Sequence, residues 1–181
     1  PLYDTAGHAL RDAVFQVTSV ISTSGFSTTD YNLWPPFAQT ILVLLMFVGG
    51  CSGSTAGSIK CGRILLLLRS STRSLLRLSH PRAVRVVKLD GKVVDEETLR
   101  TVSSFFLCFF ALLGVGCLVV SLDGYSLTTS FTAALGCLSN VGPGLDLVGP
   151  MGNFGLLSGF NKVFLSLLML IGRLEIFPIL L

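Results

Sequence analysis

One pattern occurs twice in this chain and limits what it can fold into. Leu44-Leu45-Met46-Phe47-Val48-Gly49 recurs as Leu167-Leu168-Met169-Leu170-Ile171-Gly172. Each run follows a glycine set in a small-residue cluster, Ser22-Thr23-Ser24-Gly25-Phe26-Ser27 in the first copy and Ser139-Asn140-Val141-Gly142-Pro143-Gly144 in the second. Cluster, loop and apolar helix come in the same order both times. A duplicated unit of this kind sets the architecture, and sites form where the copies meet.

The solvent of the fold follows from composition. The chain is 51% hydrophobic and 13% charged, a balance that belongs to membrane proteins. Val102 to Leu122 runs 21 residues without a charge, about what crossing ~30 Å of hydrocarbon requires. Phe160 to Leu181 is a second expected crossing, interrupted by Lys162, Arg173 and Glu175. A third runs from Phe37 to Val48 and resumes at Ile64 to Leu68 after a Gly/Ser-rich break, giving three crossings. The first copy has only Pro1 to Leu10 where the second has Val102 to Leu122, so a preceding helix is expected in a longer polypeptide of which this is the C-terminal part. Ten of the 13 Lys and Arg residues lie between Lys60 and Arg100. Positive residues beside short loops stay cytoplasmic, which turns both glycine clusters outward. A headgroup- or partner-binding role for the basic run stays open beside this topological one. Nucleic-acid binding is not expected, because the run lacks interleaved aromatics.

Arg11 to Ile21 and Ser126 to Leu138 read as short helices that dip in and end at the glycine clusters. Irregular backbone within a membrane survives only when buried in protein or lining a watery cavity, so two such half-helices suggest a pore. Surface helices on external loops are the alternative. The stretch Gly49-Gly50-Cys51-Ser52-Gly53-Ser54-Thr55-Ala56-Gly57-Ser58 interrupts an apolar run at bilayer depth. It reads either as close helix packing through Gly49, Gly53 and Gly57 at four-residue spacing or as an unwound segment crossing a permeation path. Arg69, Arg73 and Arg77 form one basic stripe on a helix leaving the membrane, by default solvated or facing headgroups. His80-Pro81 stops that helix. Val84 to Val94 alternates around Asp90-Gly91 as a hairpin, and Asp95 is placed to cap the following helix.

A filter for a dehydrated cation needs oxygen ligands, supplied by backbone carbonyls of a tight loop with a glycine at its centre. Thr23-Ser24-Gly25-Phe26-Ser27 and Asn140-Val141-Gly142-Pro143-Gly144 both align with the Thr-Val-Gly-Tyr-Gly pattern of potassium channels, with only the central glycine common to all three. Arg173 lies level with the start of the Gly/Ser-rich break, since Gly172 matches Gly49. It is expected either to reach beneath the filter and touch that segment or to snorkel to the cytoplasmic face. Enzymatic chemistry is poorly served. Gly50-Cys51-Ser52-Gly53 has the G-x-S-G string of intramembrane serine proteases, but such a serine needs a base within reach, and His8 and His80 lie outside every expected span. The five cysteines show no metal or redox spacing.

These strings, with Gly172-Arg173-Leu174-Glu175-Ile176-Phe177, resemble the Trk/Ktr/HKT superfamily of cation transporters, most closely the bacterial TrkH-type potassium uptake subunits. The resemblance runs over nearly the whole chain. It implies an all-α membrane protein made of helix–pore-helix–filter-loop–helix units with a small cytoplasmic β-hairpin. Residues 1–68 would be the third pore repeat without its first helix, 69–100 a basic cytoplasmic connector and 101–181 the fourth repeat. It further implies K⁺ as transported ion, held by carbonyls of Thr23, Ser24, Gly25, Phe26, Asn140, Val141, Gly142 and Pro143, with no cofactor bound. A gating loop at Gly49, Gly50, Ser52, Gly53, Ser54, Thr55 and Gly57 and a pore charge at Arg173 belong to the same picture. So do a homodimer, a TrkA-like cytoplasmic nucleotide-binding ring, and residence in the bacterial inner membrane. Thr23-Ser24 and Pro143 depart from the channel pattern, so these filters should select less stringently than a channel's. A Na⁺-permeable or Na⁺-coupled relative is the alternative, and an intramembrane protease the remote one.

Overall fold

The structure, a computed structural model, describes Tyr3 and residues 5–51, 53–79, 87–89 and 92–174. Ser52, His80-Pro81, the Asp90-Gly91 turn and Glu175-Ile176-Phe177 lie outside the described residues, as does the Arg77 side chain. Six helices are described: α1 (Ala6–Ile21), α2 (Pro36–Phe47), α3 (Cys61–Ser79), α4 (Glu96–Ser121), α5 (Leu127–Leu138) and α6 (Gly159–Arg173). Two minimal ladders join them. β1 (Val48–Gly49) pairs in parallel with β2 (Ile59–Lys60), and β3 (Lys88–Leu89) pairs antiparallel with β4 (Lys92–Val93).

Local sequence sets most helix starts. Thr5, Ser126 and Ser158 are N-caps whose side chains accept the N–H groups of His8, Thr129 and Asn161. Pro36 opens α2, where a missing N–H costs nothing. Asp95 holds the N-cap position of α4 without a side-chain capping bond, while Glu96 and Glu97 place negative charge on the first turn. α1 begins five residues before the expected Arg11, because the Thr5 cap lets the helix take in Ala6–Leu10.

At 26 residues and 1.5 Å per residue, α4 is about 39 Å long and is the one described helix long and apolar enough by itself to cross a membrane. α2 stops after 12 residues, at the Gly/Ser-rich break, and α6 is described as far as Arg173. The break is not a helix-packing stripe. The described residues between Val48 and Lys60 are non-helical, so the four-residue spacing of Gly49, Gly53 and Gly57 presents no helix face. Nor is α5 a surface helix: every residue from Ser130 to Leu138 except Phe131 is buried, together with Thr129. α4 and α6 enclose it through Phe105, Phe109, Leu113, Val120, Leu165 and Leu168, and Leu42 and Met46 of α2 join the same cluster. Phe47 extends it through ring contacts with Phe109, Phe110 and Phe131.

On the basic side, α3 runs on to Ser79, so the expected boundaries at 68/69 and 100/101 fall inside helices α3 and α4. The arginine stripe is not simply solvated. Arg73 makes a forked pair with Glu96, with N–O distances of 2.6 and 3.1 Å, and Arg69 donates to the Lys88 carbonyl. Both contacts tie α3 to the hairpin and to the start of α4. Arg63 adds a third tie, its guanidinium 4.2 Å from the Phe105 ring centre.

α4 packs closely on α5 and α6 at Gly116. A Cβ there would lie 2.9 Å from Leu168 Cδ1 and 3.0 Å from the Ala134 Cβ. Small residues at such crossings are how helices pack where lipid supplies no hydrophobic drive. Gly116→Val should cost about 1–3 kcal/mol through overpacking, read as a lowered midpoint of thermal unfolding in detergent, whereas Gly114→Val, with open space around it, should change little.

Candidate functional site

The two glycine clusters share one backbone conformation. Ser22 and Ser139 end α1 and α5 in the right-handed helical region. Thr23 and Asn140 follow with φ of 54° and 58°, and Gly25 and Gly142 with 73° and 99°. Their hydrogen bonds match position for position. Ser22 N–H donates to the Thr18 carbonyl, Thr23 to Val20 and Ser24 to Ser19; Ser139 donates to Leu135, Asn140 to Cys137 and Val141 to Gly136. Each loop thus turns its N–H groups back onto the orphan carbonyls of a helix C-terminus, the usual left-handed way of closing a helix.

The chemical consequence is one-sided. Among the described residues, the carbonyls of Thr23, Ser24, Gly25, Asn140, Val141, Gly142 and Pro143 accept no hydrogen bond. Phe26 differs, since its carbonyl accepts from Ser19 Oγ at 2.6 Å and its side chain is exposed. The loops meet each other: a Cβ on Gly25 would lie 2.3 Å from the Val141 carbonyl oxygen and 3.1 Å from Pro143 Cδ. Two helices with their negative ends directed at acceptor-only loops make a place suited to a cation.

The Gly/Ser-rich segment lies directly against both loops. Gly57 N–H donates to Thr23 Oγ1 at 3.1 Å, and a Cβ on Gly57 would sit 2.3 Å from the Ser139 carbonyl. Gly49 approaches the Gly57 carbonyl equally closely, and Gly172 the Leu138 carbonyl. Glycine is required at these three points because a backbone carbonyl occupies the space of its side chain. Ser58 Oγ donates to Met46 and the Cys61 thiol to Gly49, which satisfies carbonyls freed where α2 breaks. The turn within the segment is closed by Ser54, whose N–H donates to Cys51 and whose hydroxyl accepts from Ala56. A Cβ on Gly50 would meet that hydroxyl at 2.8 Å, while Gly53, with φ of 88°, faces open space. Arg173 donates to the Thr55 carbonyl across a cavity of about 200 Å³ lined by residues 54–58, Gly172 and Arg173. The arginine and the segment, 118 residues apart in the chain, are therefore in contact.

The residues that brace the loops from the far side were not legible as site residues. Asp146 lies in a 3-10 turn, Asp146–Val148, with φ of 60°. Its carboxylate accepts from the hydroxyls of Ser126 and Thr129, both at 2.6 Å, which holds its carboxyl below the usual carboxylate range. Thr132 Oγ1 accepts the Leu145 N–H in the buried layer beneath. Asn32, in a 3-10 turn of the first copy, Tyr31–Leu33, grips the Asp146 backbone at both ends: Nδ2 donates to its carbonyl at 3.2 Å, and Oδ1 accepts its N–H at 2.9 Å. Short polar residues in loops are unremarkable in a sequence, and no local pattern announces a partner 114 residues away.

Repeated half-helices, unpaired loop carbonyls and an interrupted helix define a helical membrane protein built from pore-loop units. Comparison with known proteins narrows this class. Residues 3–181 match the TrkH family, described as a cation transport protein. The chain is 38% identical over 179 residues to the Trk system potassium uptake protein TrkH of Salmonella typhimurium, covering 99% of this chain and 37% of that protein. It is 36% identical over 178 residues to TrkG of Escherichia coli strain K12, covering 98% and 36%. The crystal structure of the potassium transporter TrkH from Vibrio parahaemolyticus superposes with a TM-score of 0.90 at 38% identity, over 98% of this chain and 38% of that one. The chain belongs to the TrkH family of cation transport proteins. It spans little more than a third of the length of these relatives.

The Asp146 bridge has a pH signature. Because its folded carboxyl is held low, its contribution is complete above the unfolded value of about 3.9 and is lost as pH falls through the folded value. In detergent melts, the gap in unfolding temperature between wild type and Asp146→Asn should be constant from neutral pH down to the ordinary carboxylate range, then close on further acidification.

Proposed function

We propose that the polypeptide carrying this chain moves K⁺ across the bacterial inner membrane, with no catalytic chemistry of its own. The observation that carries this reading is the pair of matched loops whose carbonyls, Thr23 to Gly25 and Asn140 to Pro143, have no hydrogen-bond partner among the described residues and lie beside two helix C-termini. Those oxygens replace the ion's water shell. The potassium uptake named for the relatives from Salmonella and Escherichia coli supports K⁺ as the ion. Phe26 contributes least, since Ser19 already uses its carbonyl.

On this reading, residues 49–58 obstruct the path beneath the filter and Arg173 holds them there through Thr55. The guanidinium also places positive charge in the path, a barrier to cations. The basic end of α3 and the β3–β4 hairpin lie on the cytoplasmic side. The hairpin, set on α3 by Arg69, is the surface offered to a nucleotide-binding regulatory ring, and the transporter works as a homodimer.

Two substitutions test the reading in cells that lack their own K⁺ uptake. Wild type should take up Rb⁺ in preference to Na⁺. Gly142→Ser should lower that preference several-fold, because Gly142 has φ of 99° and open space around it, so serine fits but displaces the loop conformation. Unchanged preference in an expressed, active variant would count against the filter assignment. Arg173→Ala should raise Rb⁺ uptake, and equal flux would remove the arginine from the gate.

A further inference from the structure

The two copies differ in how they return from the loop to the next helix. In the first copy residues 26–29 reach the 3-10 turn at Tyr31–Leu33; in the second, residues 143–152 intervene before the matching turn at Phe154–Leu156. The extra length forms the Asp146–Val148 turn, and that turn is what Asn32 grips.

We infer that Asn32 of the first copy is a positioning residue for selectivity in the second, its side-chain amide fixing the backbone behind Asn140 to Pro143 by clasping Asp146. This rests on the transport reading and deepens it. Three observations carry it. The clasp has two bonds in opposite senses, 2.9 and 3.2 Å, which fixes the orientation of the Asp146 peptide as well as its distance. Asp146 sits in the left-handed region, with φ of 60°, a conformation aspartate tolerates, and is held in it from two sides: Ser126 and Thr129 bind its carboxylate, and Asn32 alone of these binds its backbone. Gly149 leaves the room for the clasp: a Cβ there would lie 2.2 Å from Asn32 Nδ2, although the Gly149 backbone, with φ of −68°, would accept any residue.

A carbonyl filter discriminates between cations by the spacing and stiffness of its oxygens. Asn32 touches none of them. It acts through the turn that follows Pro143 and Gly144, whose N–H donates to Val148 within the same clasped segment at 2.7 Å. Loosening the turn lets the second filter relax onto a smaller ion while the path stays open.

The test uses the whole transporter in K⁺-uptake-deficient cells, reading Rb⁺ uptake and its inhibition by Na⁺ at matched membrane levels. Asn32→Ala should make uptake several-fold more sensitive to Na⁺ with maximal Rb⁺ flux little changed, a split that mere loss of folded protein would not give. Gly149→Ala should reproduce it by pushing the amide away. Leu147→Ala, at an exposed position of the same turn, keeps both Asn32 bonds and the Asp146 carboxylate contacts, so its Na⁺ sensitivity should stay close to wild type. Wild-type Na⁺ sensitivity in both Asn32→Ala and Gly149→Ala, with Rb⁺ uptake intact, would overturn the inference. So would an equal shift in all three variants, which would assign the effect to the turn itself. Absence of Rb⁺ uptake in the wild type would instead overturn the transport reading on which this one stands.

Discussion

A chain that leaves the helix inside hydrocarbon must find partners for every N–H and carbonyl it frees, and the rest of this structure depends on how that demand is met. At the ends of α1 and α5 it is met unevenly. The N–H groups of Thr23 and Ser24, and of Asn140 and Val141, fold back onto helix carbonyls, while the carbonyls of the same residues turn away. A loop closed this way has spent its donors and kept its acceptors. Left-handed residues at Thr23 and Asn140 are the geometric condition for it, and asparagine suits such a position better than threonine does. The same demand explains why α5 is buried almost throughout: a half-helix ending in free carbonyls is tolerable only where protein, or an ion with its water, covers the end.

The two copies meet the demand differently one helix later. α6 runs unbroken through Ile171 and Gly172 to Arg173, whereas its counterpart α2 stops at Phe47 and the chain makes a two-residue parallel ladder between Val48–Gly49 and Ile59–Lys60. Stopping a helix there exposes carbonyls at Met46 and Gly49, and the chain supplies their donors itself, from Ser58 and Cys61. Gly49, Gly57 and Gly172 then have one role in common. Each lets backbone pass within side-chain distance of a carbonyl, and at Gly57 this brings the broken segment of one copy under the loop of the other.

Much of this was legible because it repeats. Half-helices and glycines recur in order, so Ser126 as the cap of α5 and the glycine clusters as the ends of α1 and α5 could be read from the repeat. The single-copy features were harder. Four-residue glycine spacing allowed both a helix stripe and an unwound segment; the non-helical backbone decides for the second, and the carbonyls opposite Gly49 and Gly57 show why glycine is needed there. The arginine stripe read as solvated because nothing local to it pairs; its partners, Glu96 and the Lys88 carbonyl, come from the next elements. Asn32 and Asp146 were invisible for the same reason, in sharper form. Their bonds run between backbone and amide across two copies, and neither residue is unusual for a turn.

The contact of Arg173 with the broken segment shows how strongly that segment is held. Its partner is the Thr55 carbonyl, not a carboxylate. A hydrogen bond to a charged donor is worth about 1.5–3 kcal/mol net, well short of the 3–5 kcal/mol by which breaking a buried ion pair destabilises a fold. Gly57 to Thr23 Oγ1 adds a neutral bond of about 1 kcal/mol. Together these are a few kcal/mol, enough to keep the segment seated most of the time. They are also comparable to the 1–3 kcal/mol typical of coupling between distant sites. A carboxylate in place of the Thr55 carbonyl would seat the segment more firmly than a coupling of that size could release.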